Sequence, residues 1–393
     1  MISSRLPASL EPTPLAAAVA ARRARPGRLV DLTISNPTVA GLAYPETLAA
    51  AWSNDAGRAY DPHPRGMPAA REAIARWYAT VGETVDADDL VLTACTSEAY
   101  SHVFKLLCDP GDQILVPSPS YPLFEHLARL DAVDARHYTF RDIGTWVLDS
   151  SQLEAAIGPR TRAIVVVSPN NPTGTVPSPR EWDLIADVCR RHRLALIVDE
   201  VFAAYPLGDR AGAAAAGYVP LPPTPGVLVF RLNGLSKLVG LPQAKLGWIC
   251  VRGPEPLAVP AMAGLEVVAD TYLSVSTPVQ VALPVLLRDG APVREQIRAR
   301  LAANLARVRA AVAGSAIDVR SPDGGWSVVL RVPCVGGPDD VALALLERDV
   351  IVHPGYFYDL PHDGYVVLSL LAPERDVQEG LDVMCRLPAL QLT

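Results

Sequence analysis

The chain has 393 residues, with 35 Lys and Arg against 42 Asp and Glu, so its formal net charge is −7. Hydrophobic residues make up 50% and charged residues 20%, a globular balance that excludes a disordered chain, while the mild acidity speaks against a nucleic-acid groove, which needs a basic face. At roughly 100–200 residues per domain the length implies two domains, or a large one and a smaller one, and no apolar run reaches the roughly 18 residues needed to cross a bilayer.

Along the chain, residues 15–28 are rich in Ala and Arg and free of acids. They read either as a short surface helix ending near Pro26-Gly27 or as a segment with the composition of an organelle transit peptide. From about 89 to 251, short apolar runs alternate with helical patterns. The runs are DLVLTAC (89–95), QILVPS (113–118), RAIVVVSP (162–169), LALIVDE (194–200), VLVFRLN (227–233) and LGWICV (246–251). They are nearly continuous rather than alternating, as in strands buried on both faces of a parallel sheet. Helices are expected between them, at 97–108 and 179–193. Residues 292–313 repeat Val293, Ile297, Leu301, Leu305, Val308 and Val312 at helical spacing, with Pro292 in the first turn and Gly314 as a stop. Strands at 327–332 and 365–370 and a helix at 374–386 follow. The expected architecture is α/β: a large domain over 46–284 with a mainly parallel central sheet flanked by helices, and a smaller α+β domain built from 1–45 and 285–393.

The cysteines Cys95, Cys108, Cys189, Cys250, Cys334 and Cys385 are scattered, without Cys-x-x-Cys spacing. This suits reduced thiols in a cytoplasmic protein. No His-x-x-x-His pair or other metal constellation is visible, so no metal is expected.

Five signals sit at strand ends, where open α/β sheets place ligands. Asp199 ends an apolar run; it is either a solvated strand end or helix cap, or a buried carboxylate that keeps a cationic ring nitrogen protonated. Ser236-Lys237 follows the next strand; Lys237 is either a solvated charge or a desolvated, nucleophilic amine. Ser168-Pro169-Asn170-Asn171-Pro172-Thr173-Gly174 is a turn, or a turn that lets Asn171 donate to a ligand oxygen. Thr96 and Ser97 are expected to cap the helix they open, and the same free N–H groups and hydroxyls suit a phosphate. Pro117 to Pro122 is a rigid turn, or one that aims Tyr121 over a pocket.

In this order and at these intervals, 28 residues from Asn171 to Asp199 and 38 from Asp199 to Lys237, the motifs resemble the pyridoxal-phosphate-dependent aminotransferases of fold type I, the aspartate/tyrosine aminotransferase-like group. The resemblance runs from Asp31-Leu32-Thr33 to the region of Ser369. It implies that Lys237, in GLSK, holds the cofactor pyridoxal 5′-phosphate as an aldimine and shuttles a proton, and that Asp199 is the partner of the ring nitrogen. It implies further that Asn171 bonds the ring hydroxyl, that Tyr121 stacks on the ring, and that Thr96, Ser97, Ser236 and Lys245 hold the phosphate. Tyr60 resembles the tyrosine that reaches a neighbouring subunit's phosphate, with one extra residue before Gly66, and so implies a homodimer. Ser35, Asn36 and Arg65 are candidate substrate contacts.

Four positions depart from the family. Phe202 stands where a tyrosine is usual and cannot donate a hydrogen bond, with Tyr205 nearby as an alternative donor. Lys245 replaces the phosphate-binding arginine, keeping the charge without the planar fork. Gly234 replaces a serine. Val367, in YVVLSL, replaces the arginine that clamps the substrate carboxylate; Arg65, Arg331 and His63 are candidate substitutes. The segments SNPTVAG, TSEAYS, DEVF, GLSKLVGLPQAKLGW, GGWSVVLRVP and HPGYFYD also resemble a bacterial subgroup of aminotransferases. The implied activity is transfer of an amino group from an amino donor to a 2-oxo acid. Two other readings stay open: a lyase, decarboxylase or oxidase using the same cofactor on an amino acid or amine, and a non-catalytic ligand sensor.

Overall fold

The computed structural model describes residues 2–7, 9–213, 217–333 and 337–390; Cys334 lies outside them. Its strands are β1 (Val30–Asp31), β2 (Leu90–Thr93), β3 (Gln113–Ser118), β4 (Asp134–Asp142), β5 (Trp146–Leu148), β6 (Thr161–Val167) and β7 (Ala195–Asp199). They continue as β8 (Val229–Gly234), β9 (Gly247–Arg252), β10 (Asp318–Arg320), β11 (Ser327–Arg331), β12 (Val350–Ile351), β13 (His353–Pro354) and β14 (Tyr365–Ser369).

Eight strands form the central sheet in the order β2-β9-β8-β7-β6-β3-β4-β5. The pairs β8-β7, β7-β6, β6-β3 and β3-β4 are parallel. Both faces are covered. Ile114, Val165, Ile197 and Phe230 pack beneath the helices Thr96–Leu107 and Glu255–Tyr272, in one cluster with Phe104 and Leu265. Leu115, Ile164, Leu196 and Val198 face the opposite way, onto Trp182, Ile185 and Val188 of the helix Pro179–His192. That two-sided burial is why the sequence runs are continuously apolar.

Two features differ from the sequence reading. Strand β9 runs antiparallel to both β8 and β2. A strand buried on both faces has the same apolar sequence in either direction. What turns β9 back is the connection after β8, which holds only the one-turn helix Leu235–Leu238 and the short turn Pro242–Ala244 rather than a crossover helix. Strands β4 and β5 were not expected. They lie at the sheet edge, and β4 buries only Tyr138 and Phe140 and is otherwise largely polar in sequence, so it carries no apolar run.

The helix Ala291–Val312 buries every residue of its expected apolar stripe, and it packs with the helix Glu374–Cys385 beside the sheet β10-β11-β14-β13. The N-terminal segment joins them through β1, which pairs with β12, and through the Ser369 amide, which donates to Leu32 O. The early surface helix is Pro14–Arg23, capped by Thr13.

Candidate active site

Asp199, Ser118, Val167 and Gly234 end the parallel strands β7, β3, β6 and β8 at one edge of the sheet. A cavity of about 370 Å³ opens there. Its lining contains Lys237, Asp199, Asn171, Tyr121, Thr96, Ser97, Ser236, Lys245 and Ser35, so residues far apart in sequence meet at the carboxyl ends of the strands.

Lys237 sits in the single helical turn after β8. Its Nζ lies 4.9 Å from the centre of the Trp326 ring and 5.9 Å from that of Phe202. Burial pushes its ammonium below the ordinary lysine value, and the negative charge of Asp199 offsets part of that. A larger share of neutral, nucleophilic amine follows.

Asp199 is 8% exposed. It accepts hydrogen bonds from the Tyr100 hydroxyl and the Val201 amide, each at 3.0 Å. Burial nevertheless raises its carboxyl to about 6, and those two bonds and the Lys237 charge work in the opposite sense. A cation placed against Asp199 would reverse the rise. The next residue takes no part in the cavity: Glu200 is buried in an ion pair with Arg231 and accepts from the Tyr218 hydroxyl at 2.7 Å.

Gly234 and Gly247 are opposite one another in the β8-β9 pair. A Cβ on Gly234 would lie 2.9 Å from the Gly247 Cα, and a Cβ on Gly247 would lie 3.2 Å from the Thr96 amide nitrogen. The missing serine at 234 thus has a packing reason: two backbones touch here, at the residue immediately before the turn that carries Lys237. The helix Thr96–Leu107 begins beside them. Its N-cap is Cys95, with no side-chain cap bond, which corrects the expectation that Thr96 and Ser97 cap it. The first-turn amides are therefore left available to an anion.

Asn170 is structural, donating to Pro119 O and to the Thr173 hydroxyl, whereas Asn171 faces the cavity and accepts from the Ser327 hydroxyl at 3.4 Å. Tyr121 is 45% exposed on the cavity rim.

Several candidates lie elsewhere. Asn36 caps the turn Pro37–Val39. Arg65 pairs with Glu266 at 3.4 Å and donates to Asp88 O, His63 pairs with Asp61, and Arg331 lies over the Tyr365 ring. None of these four lines the cavity. Tyr60 is 70% exposed and also outside it. Tyr205 does not supply the donor missing at Phe202, because it is fully buried and its hydroxyl donates at 2.5 Å to the backbone carbonyl of Lys237.

The sequence reading gave no role to Tyr100, Trp326, His353 or Thr33. Tyr100 had a findable signal, since it lies one helical turn beyond Thr96 and so faces the same way. Trp326 and His353 reach the cavity from the other sheet, and no local pattern announces that.

Residues 29–381 match the family of class I and II aminotransferases. The chain belongs to that family. As an aminotransferase, it moves an amino group from a donor to a 2-oxo acid, which decides among the activities that the motifs left open. It is 28% identical over 354 residues to the alanine aminotransferase of Mycobacterium tuberculosis H37Rv, spanning 88% of this chain and 76% of that protein. It is 33% identical over 224 residues to the glutamate-pyruvate aminotransferase AlaA of Escherichia coli K12, spanning 57% and 54% of the two. Among solved structures, an aminotransferase from Escherichia coli superposes with a TM-score of 0.85 at 25% identity, covering 98% of this chain and 97% of that one. The fold-type-I architecture expected from the motifs is the one observed.

Proposed function

We propose that this aminotransferase works with pyridoxal 5′-phosphate in the cavity around Lys237 and takes an amino acid with an uncharged side chain as its donor. The observation that carries the cofactor is the pairing of a desolvated lysine with a buried carboxylate in one cavity, beside a helix N-terminus whose amides lack a side-chain cap. The donor set fits the group in both charge and order. Thr96, Ser97, Ser236 and Lys245 would hold the phosphate, Lys245 as a point charge. Asp199 would meet the ring nitrogen, Asn171 the ring hydroxyl, and Tyr121 the ring face.

When bound, this cofactor supplies an electron-withdrawing ring that accepts the electron pair left at the substrate Cα. Lys237 would hold the cofactor through its Nζ and would be the amine placed to take and return a proton at the substrate Cα. The lowered basicity of this amine, caused by burial, suits both tasks. Asp199, oriented by the Tyr100 hydroxyl, would be held anionic by a positively charged ring and would keep that ring electron-accepting. Trp326 and Phe202, both buried and packed over Lys237 Nζ, would limit the access of water to it.

An uncharged donor side chain is supported by the apolar wall formed by Leu123, Phe124, Leu127 and Tyr121, and by the name of one relative, alanine aminotransferase. A homodimer is supported by the exposed apolar surface of Tyr60, Val267, Tyr272 and Leu273, since monomers rarely expose such patches. Tyr60 would then act across the boundary. Unpaired Cys95, Cys108, Cys189, Cys250 and Cys385 support a cytoplasmic setting. No described helix is long and apolar enough to cross a membrane. The division into 46–284 and 1–45 with 285–393 is supported by the separate sheets.

The test is spectroscopic. Protein loaded with the cofactor should absorb in the near-visible through its bond to Lys237, lose that band when an amino donor is added without acceptor, and regain it with a 2-oxo acid. A band that persists with every donor tried would defeat the reading, as would release of ammonia, carbon dioxide or peroxide in place of a 2-oxo acid.

A further inference from the structure

The cavity has two unlike walls. One carries Lys237, Asp199 and Lys245. The other is built from β11, β13, β14 and the loops beside them, and it contributes Trp326, Ser327, His353, Tyr358, Val367 and Ser369. Among the described residues of this second wall, two side chains carry a nitrogen donor, the imidazole of His353 and the indole of Trp326. Trp326 Nε1 is buried and unpartnered.

His353 stands directly opposite Val367 across the antiparallel pair β13-β14, and Val329 stands opposite Val367 on the other side. Opposed residues in such a ladder share a face. The imidazole therefore lies beside the valine, on the cavity side. Its Nδ1 is 2.9 Å from the Tyr358 hydroxyl, and its ring stacks on Phe357 with centroids 4.9 Å apart at 23°. These two contacts fix the ring plane. Burial raises the Tyr358 hydroxyl far above its usual value, so it keeps its proton. Burial also lowers the imidazole, with Asp31 opposing in part. A carboxylate can only accept hydrogen bonds, so its arrival selects the tautomer with the proton on Nε2, and Tyr358 then donates to Nδ1.

We propose that His353, fixed by Tyr358 and set beside Val367, receives the α-carboxylate of the amino donor through Nε2–H, so that this enzyme recognises the carboxylate with an oriented imidazole donor and no arginine fork. The proposal rests on the aminotransferase reading. His353 is a substrate-contact residue, and Tyr358 is a positioning residue.

The experiment uses cofactor-loaded parent, His353→Ala, His353→Gln and Tyr358→Phe. The parent must first show donor-dependent loss of its near-visible band; a parent that fails there fails the aminotransferase reading, not this inference. In His353→Ala, KM for the amino acid donor should rise about tenfold or more, as expected for a lost hydrogen bond to a charged group, with kcat nearly unchanged. For the matching amine, which lacks the carboxylate, the fall in kcat/KM should be several-fold smaller than for the amino acid. His353→Gln keeps an N–H donor and should fall between the two. Tyr358→Phe should raise KM less than His353→Ala. A second readout needs no turnover: with ¹⁵N-histidine-labelled holoenzyme, the resonance absent from His353→Ala should shift on titration with isobutyrate, a carboxylate that cannot react. An unchanged KM, equal changes for amino acid and amine, His353→Gln as poor as alanine, or a resonance blind to isobutyrate would each overturn the proposal.

Discussion

The two walls of the cavity solve opposite problems. The wall at the carboxyl ends of β7 and β8 concentrates charge where water is scarce: an amine driven toward neutrality faces a carboxyl raised to about 6. Among the described residues, the wall from β11, β13 and β14 brings no arginine into the cavity, Arg331 at the end of β11 lying outside it, and meets the cavity with indole, phenol, imidazole, hydroxyls and a valine. The first wall stores unfavourable electrostatics that a cationic ring would relieve. The second is close to neutral and selects by shape and hydrogen bonding. A fixed charge costs burial energy whether or not ligand is present, whereas an oriented neutral donor costs little until an acceptor arrives.

The contrast breaks most directly at Lys237. Lys237→Ala should lower transamination by more than about 10³-fold, the range of a lost general base, and should abolish the near-visible band while leaving the far-ultraviolet circular dichroism unchanged. Residual turnover within tenfold of the parent would mean that another group does the chemistry.

The stored electrostatics can be read without cofactor. A carboxyl whose folded-state pKa exceeds its ordinary value favours the folded state fully below that ordinary value, and this contribution is lost as pH rises through the folded value. For Asp199 the window runs from about 4 to about 6, and two units correspond to roughly 3 kcal/mol. In cofactor-free protein, Asp199→Asn should therefore gain urea stability relative to the parent as pH rises across that window. Bound cofactor should shrink the gain or reverse it. Parallel pH profiles for the two proteins would show that Asp199 is not under this stress.

The charged wall also depends on two backbones in contact. Gly234→Ala should destabilise by about 1–3 kcal/mol through overpacking against Gly247, with a matching fall in the urea midpoint. An unchanged midpoint would mean that β8 and β9 can separate without loss.

The smallest effect belongs to Tyr100. Removing its hydroxyl with Tyr100→Phe should cost about three- to tenfold in kcat/KM, because Asp199 keeps the Val201 amide. A loss as large as that of Asp199→Asn would make Tyr100 a full partner in the site.

Much of the charged wall was legible in the amino-acid order, because it is made of local events. An apolar run buried on both faces ends in Asp199, and another ends just before Ser236-Lys237. A turn follows β6, and a helix opens at Thr96. Strand ends of an α/β sheet converge by topology, so knowing the strands is enough to gather those side chains. Direction and edges were less legible: β9 reads the same parallel or antiparallel, and the polar β4 carries no run at all.

The second wall was decided by tertiary structure alone. Nothing local to His353 says that β13 pairs with β14 in the register that sets it beside Val367, nor that Trp326 comes to rest over Lys237. Arg65 and Arg331 look as available in the sequence as any cation, yet one is drawn to Glu266 and the other to the Tyr365 ring. A residue's chemistry is written in the chain, but its neighbours across a sheet depend on register and packing summed over distant segments, and only the folded molecule performs that sum.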